Sequence, residues 1–379
     1  MSSDTFSSVN SILERDATDT TYKYSLLQSV IETAQEYPQF AVVNEETQRV
    51  QLPVGIVVFK WLMYYYPFFL PGLFIAMKKG ERESMHKIAF RSLFEEVTLH
   101  YEQHGGISIF SDELMHGTIE PAIEPTVRKL ATKIRATIID YPMSHLGFSQ
   151  NNALYSIFHI EKRDNTLRRN EPLSFYSMVK HFGTYSISKE LYSVFRDLGG
   201  FILGSGSVSR KWMAFLQKEN CDYGVSEGEL LKRFSVVPNT ERDVAAAAKV
   251  YRDLVKNGNC ECVWSGKKLT LDAMAVDHLL PFSVWKSNGL WNLMPVDATV
   301  NLKKTDNIPS PEFLLERKSD ILACWDRLHT AYRERFEKEI SMGLMAGTIT
   351  ENWKEDAFQQ LCKNAEYLIT VRGCNRWEG

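Results

Sequence analysis

The stretch VDHLLPFSVWKSNGLWNLMPVDATVNLKKTD, residues 276 to 306, sets four polar side chains among apolar neighbours: Asp277, His278, Asn292 and Asn301. Phosphodiester hydrolysis calls for these residue types. A water must lose a proton near neutral pH, which suits a histidine, whose ordinary pKa is about 6.5. A hard divalent cation must offset the charge of the scissile phosphate and of the departing oxygen, and an Asp carboxylate and an Asn carbonyl are oxygen ligands that such an ion accepts. Turn chemistry accounts for one such residue in a short stretch, not for four.

Those side chains need elements to hold them. Leu269 to His278 reads as a strand stopped by Pro281, and WNLMPV as a second short strand after a loop containing Ser287, Asn288 and Gly289. ATVNLKKTDN then starts a short helix, with Asp297 or Thr299 as its N-cap. Adjacent strand residues face opposite sides, so Asp277 and His278 serve one phosphate only if the strand ends or bends there. A lone Asp-His pair is more often a polar turn, and a histidine on an apolar strand more often a satisfied core residue.

The longer string carries a resemblance. C-x-W-S-G-K-x-L from Cys262, then DHLLPFSVW, LWNLMPV and NLKKTDNIP, resembles the HNH endonucleases, and within them a bacterial sub-branch with DH-x-[IL]-P-[FW]-S, WNL-x-P and N-x-x-K motifs. The close resemblance spans Cys262 to Pro309. Further upstream, KYSLLQSVI, VVFKWLMYYYPFF and YPMSHLG are more weakly similar to the region that accompanies this domain. The resemblance implies a ββα-metal fold and metal-dependent hydrolysis of DNA, with His278 as general base and departure of the 3′-oxygen. Asp277 and Asn301 would be the protein ligands of one Mg²⁺ or Mn²⁺. Asn292 would hold the loop and the His278 backbone. Lys304, one helical turn after Asn301, would either face the same phosphate or be an exposed helix lysine. RNA is the alternative substrate, and a gated or inactive module that binds or senses nucleic acid is the alternative class. One such site cuts one strand, so double-strand cleavage would need two events or a homo-oligomer. Bacterial restriction or antiviral defence against phage is the implied setting, with a defence-system protein as a further partner.

Many HNH domains are pinned by a zinc ion bound through two C-x-x-C pairs. Here the corresponding positions read Cys262-Val-Trp-Ser265 and Asp297-Ala-Thr-Val300, which leaves one sulfur of four, and no structural zinc is expected. Trp264, Trp285, Trp291 and the flanking helices are expected to stabilise the module instead.

The rest of the chain sets the context. Its 379 residues suggest two domains or three, and 44% hydrophobic, 12% aromatic and 24% charged residues can build large cores. The predicted fold class is mainly α with a small α+β (ββα-metal) nuclease module near the C-terminus. Residues 1–20 are predicted to be a flexible tail, 21–240 a mostly helical recognition or regulatory region, and 241–379 the HNH domain with flanking helices. Helical periodicity runs through 23–37, 83–104 and 126–139, and through SKELYSVFRDLGGF, which is expected to end at Gly199-Gly200. GSGSVS at 204–209 lacks the third glycine of a dinucleotide fingerprint and reads as a loop. EFLLERKSDILACWDRLHTAYRERFEKEI is one long helix or two.

The net charge of −3 is unlike that of a small, wholly basic DNA-binding module, so a polyanion would have to meet a local patch. The basic runs are Arg128, Lys129, Lys133 and Arg135; Lys162, Arg163, Arg168 and Arg169; and Arg210 with Lys211. Any one of them is more often a solvated helix face. The six cysteines follow no framework spacing, and the N-terminus reads as lacking a cleavable signal, which suits a reducing cytoplasm. Residues 51–77 are apolar enough to suggest a membrane span, but Lys60 sits near the middle and Pro53, Pro67 and Pro71 interrupt the segment. A charge at the bilayer centre costs about 2.5 to 3.5 kcal/mol on insertion scales. A buried core helix followed by a turn is expected, without membrane contact.

Overall fold

The computed structural model describes residues 19–379 except 85–86, 151–152, 164–166, 169, 205–207 and 239–241. Most of the expected flexible tail, Arg169 and the centre of the GSGSVS loop therefore lie outside the described residues. The chain is mainly α with a small α+β module near its C-terminus. It divides into two compact units, Met1–Asn239 and Thr240–Gly379.

In the first unit the helices of seven residues or more among the described residues are α1 (Tyr22–Glu36), α2 (Val54–Tyr65), α3 (Arg91–Glu102), α4 (Gly106–His116), α5 (Glu124–Asp140), α6 (Phe175–His181), α7 (Lys189–Gly204), α8 (Val208–Asn220) and α9 (Glu227–Phe234). Leu26, Leu27, Val30, Ile31 and Ala34, the apolar stripe of α1, are all buried, and α1 packs on α2 and α7. A four-stranded sheet in the order β1 (Val42–Asn44), β2 (Arg49–Pro53), β6 (Thr184–Ser188), β5 (His159–Lys162) lies in this unit, with every neighbour antiparallel. Strands β3 (Gly147–Gln150) and β4 (Ala153–Ser156) form a separate antiparallel pair.

Segment 51–77 is the end of β2, then α2, then a tight turn at Tyr66–Phe69. Its one charge is accounted for: Lys60 Nζ lies 2.6 Å from Glu32 and 2.8 Å from Glu36, one turn apart on α1. Burial works against the Lys60 charge, but the two carboxylates outweigh it and raise its pKa. Among the described residues no helix is long and apolar enough to cross a membrane.

Three details depart from the periodicity. The helix expected over 83–104 starts only at Arg91, because buried Glu81 accepts from the Met77 and Ile88 backbone N–H groups at 2.7 and 2.9 Å and pairs with Arg91 at 2.8 Å, which fixes a turn there. Helix α7 runs through Gly199-Gly200 to Gly204 rather than stopping. A Cβ at Gly199 would stand 2.5 Å from Ile31 Cγ2, so this glycine serves the close approach of α1, not a turn. The first basic run is not one surface: Arg128 pairs with Glu124, and Arg135 is buried and donates to the Phe182 and Arg163 carbonyls at 2.9 and 2.6 Å.

The second unit holds α10 (Ala245–Lys256), β7 (Met274–His278), β8 (Leu293–Asp297), α11 (Ala298–Lys304), β9 (Ile308–Pro309), α12 (Pro311–Glu316), α13 (Lys318–Ala331), α14 (Arg333–Leu344), α15 (Trp353–Thr370) and β10 (Arg376–Trp377). Strand β7 is shorter than the apolar run suggested, because the Ala273 and Met274 N–H groups both turn back to Thr270 O. It ends at His278 and pairs antiparallel with β8, Asp277 opposite Met294 and His278 opposite Leu293. Asp297 caps α11, its side chain accepting from Thr299 N at 2.9 Å. The long C-terminal helical stretch is three helices, interrupted at Arg317 and Tyr332.

The helices outside the motif hold it from behind. Tyr251 of α10 donates to Leu293 O at 2.9 Å, and Trp325 of α13 donates to Trp291 O at 2.7 Å, so both ends of that short segment are tied to helices. Strands β9 and β10 pair in parallel and bring Trp377 against Trp264 and Phe313, each with ring centroids 5.1 Å apart. Trp264 and Trp291 are buried, whereas Trp285 is only partly so.

Candidate active site

The site forms where β7 stops. Asp277, His278 and Lys304 are 5%, 1% and 0% exposed, although all three are ionisable. Burying an isolated charge is costly, so each needs partners. Lys304 Nζ, on α11, donates to Asp277 Oδ2 at 3.0 Å and to the His278 carbonyl at 2.8 Å. The Trp264 indole N–H donates to the same Asp277 oxygen at 3.2 Å, and the His278 backbone N–H donates to Oδ1 at 2.8 Å. Helix α11 is thus joined to the last two residues of β7 through one buried ammonium. Its lysine is therefore not the exposed helix residue that was one of its two expected readings.

The imidazole looks elsewhere. His278 Nε2 lies 3.3 Å from Asn288 Oδ1, and the ring centroid is 5.3 Å from that of Phe282. Burial pushes the His278 pKa down to about 4, helped by the Arg242 charge and opposed by the Asn288 bond and by Asp277. The ring is therefore neutral at pH 7, the form that can accept a proton. Arg242 is fixed nearby by donating to Val276 O at 2.9 Å. Burial also lowers the Lys304 pKa, against the pull of Asp277.

Asn292 governs the intervening loop. Its side-chain oxygen accepts from Leu280 N at 2.8 Å, and its amide nitrogen donates to Leu280 O at 3.0 Å and Ser287 O at 3.1 Å. The Asn292 carbonyl accepts from the Leu279 N–H at 2.7 Å, next to His278, whose own N–H and carbonyl are held by Asp277 and Lys304. Asn301 is half-buried on α11, three residues before Lys304 and so on the same side of that helix. Its side chain bonds to no other group among the described residues.

These residues suit a hard divalent ion. A carboxylate has about four lone-pair positions, and the donors around Asp277 occupy three, so Oδ1 keeps one. The Asn301 carbonyl would add a second oxygen. No cluster of three His, Cys, Asp or Glu exists among the described residues, so water or substrate oxygens would complete the shell.

Spacing alone did not reveal Asn288, Arg242 or the indole of Trp264 as parts of the site. Asn288 carries a turn signature next to Gly289. Arg242 precedes α10, far from the motif in sequence, and Trp264 reads as an apolar packing residue.

Two outcomes follow from the buried charges. Lys304→Met leaves the Asp277 carboxylate without its cation and is expected to destabilise the second unit by about 3–5 kcal/mol in urea unfolding, with most of it recovered by adding Asp277→Asn. A single variant as stable as wild type would show that the ion pair does not organise the strand end. The histidine adds a pH dependence. Its folded pKa of about 4 lies below the ordinary 6.5, so the unfolded chain binds the proton more tightly between these values. Its contribution is present above pH 6.5 and lost as pH falls toward 4, a change on the order of 3 kcal/mol. His278→Gln should flatten that part of the stability–pH curve, and an unchanged slope would contradict the assignment.

Comparison with known families covers both units. A model described as a domain of unknown function, DUF8808, matches residues 2–234, and a model described as HNH endonuclease matches residues 262–310. No curated protein matches the chain. The second match encloses β7, β8 and α11, and with them Asp277, His278, Asn292, Asn301 and Lys304. By a match over more than half its length the chain belongs to the DUF8808 family, and it carries an HNH endonuclease domain near its C-terminus.

Proposed function

We propose that the chain is a metal-dependent endonuclease that hydrolyses DNA phosphodiesters, with the Met1–Asn239 unit selecting where it acts. The observation that carries this reading is the end of β7, where a neutral, buried imidazole stands beside a carboxylate anchored by Lys304. His278 takes a proton from a water, the water oxygen bonds to phosphorus, the P–O3′ bond breaks, and the 3′-oxygen leaves to pick up a proton. Mg²⁺ or Mn²⁺ held by Asp277 and Asn301 would offset the phosphate charge and stabilise the departing oxygen. Asn292 keeps the 280–287 loop in place. Lys304 is a positioning residue: it orients Asp277 and the His278 carbonyl, and it has no exposed surface with which to meet a phosphate. The HNH match supports a nucleic-acid substrate, and contacts through the backbone of one strand would give such a site little sequence preference of its own.

The burial of Asp277 and His278 also favours a second reading, a nuclease held closed until its substrate or a partner opens the strand end. One assay addresses both. Supercoiled plasmid and a structured RNA are incubated with the full chain in Mg²⁺, Mn²⁺ or EDTA, beside His278→Ala. Metal-dependent nicking that falls about 10²- to 10⁴-fold in the variant is the expected result. Cleavage that persists unchanged in His278→Ala would overturn the assignment of the base. Intact DNA with cleaved RNA would overturn the substrate, and no cleavage of either would leave the closed form as the better reading.

A further inference from the structure

We infer that Asn288 is the residue that sets the protonation geometry of His278, holding the ring proton on Nε2 so that Nδ1 carries the lone pair that receives a proton from water. This rests on the nuclease reading for its purpose, but not for its geometry. The Asp243 backbone N–H faces Asn288 Oδ1 at 3.0 Å, and the same oxygen lies 3.3 Å from His278 Nε2. A backbone N–H only donates, so the amide atom between the two is the oxygen. An amide oxygen only accepts, so the proton of that contact sits on Nε2. A neutral imidazole has one N–H, which leaves Nδ1 as its acceptor. Nδ1 makes no hydrogen bond among the described residues.

The loop is built to keep Asn288 in that position. Lys286 takes a left-handed backbone conformation at φ 48° and turns the chain after the Phe282–Trp285 helical turn. Ser287 O, on one side of Asn288, accepts from Asn292 Nδ2 at 3.1 Å, and Gly289 O, on the other side, accepts from Asn292 N at 2.8 Å. Leu290 N donates to Glu339 on α14 at 2.7 Å. Asn292 thus fixes both neighbours of Asn288, and Asn288 in turn fixes the ring. The Asp243 N–H occupies one of the two lone pairs of the amide oxygen, which keeps the amide from turning over. Asn288 is a positioning residue, acting through His278.

The test reads the ring directly, without metal or substrate. The full chain is labelled with ¹⁵N-histidine, and long-range ¹H–¹⁵N correlation spectra are recorded at pH 7, with His278→Gln used to assign the signal. Wild type is expected to show a protonated Nε2 and an unprotonated Nδ1. Asn288→Ala should shift the ring toward a mixture of both forms, while Asn288→Asp, which keeps an oxygen acceptor, should preserve the wild-type pattern. If cleavage is present, Asn288→Ala should lower kcat about 10- to 100-fold with little change in KM, and Asn288→Asp should restore much of it. A wild-type ring protonated on Nδ1 would overturn the inference, as would a folded Asn288→Ala variant whose ring is unchanged. An Nε2-protonated ring in a chain that cleaves nothing would support the Asn288 assignment and count against the nuclease reading alone.

Discussion

A single buried ammonium organises the second unit. Lys304 has no exposed surface, and its Nζ is shared between the Asp277 carboxylate and the His278 carbonyl. Dehydrating two charges is unfavourable, and the pair is tolerable only because each member has further donors or acceptors around it. Trp264 and the His278 N–H supply them for Asp277. The consequence is geometric: α11 cannot slide along β7 without breaking a buried ion pair, so Asn301 on that helix is kept in register with the strand end. The desolvation that makes the pair demanding also keeps the His278 ring neutral at physiological pH.

Support for this arrangement comes from parts of the chain far from the motif. The Trp264 indole that donates to Asp277 stacks on Phe313 of α12 at 5.7 Å and meets Trp377 of β10 edge-on at 5.1 Å. Tyr251 and Trp325 hold the segment from Trp291 to Leu293 from two other helices. A ββα unit is too small to build a core of its own size class, and here its rigidity comes from α10 and from everything after Pro309. The candidate site is an assembly of the whole second unit, not of its fifty-residue motif.

Much of this was legible in the residues, and the limits have physical causes. Pro281 correctly marked the end of β7 at His278, and Asp297 was one of two readable caps for α11. The amphipathic stripe of α1 and the buried character of α2 followed from spacing and from the lone charge of Lys60. Short strands of three to five residues in the first unit were missed because β2 and β6 pair across more than half of that unit, and no local pattern records such pairing. Gly199 was read as a stop because a glycine needed for close helix contact looks the same in sequence as one that ends a helix. For Lys304 the residues left two readings open, a phosphate contact or an exposed helix lysine, and neither includes its burial, which depends on Asp277 lying beside it. Asn288 and Arg242 could not be singled out, since their roles arise from contacts with a ring and a carbonyl that only the fold brings near.

The most direct test of the hydrolytic account is the fate of the attacking oxygen. Full-length chain, a DNA duplex and Mg²⁺ or Mn²⁺ are incubated in ¹⁸O-labelled water, and the ends of the products are read by mass spectrometry. One ¹⁸O on a new 5′-phosphate, a free 3′-hydroxyl on the other fragment, and loss of both products with EDTA are the expected results. Products ending in 3′-phosphate, an unlabelled 5′-phosphate, or cleavage indifferent to EDTA would contradict a His278-activated water acting at the end of β7.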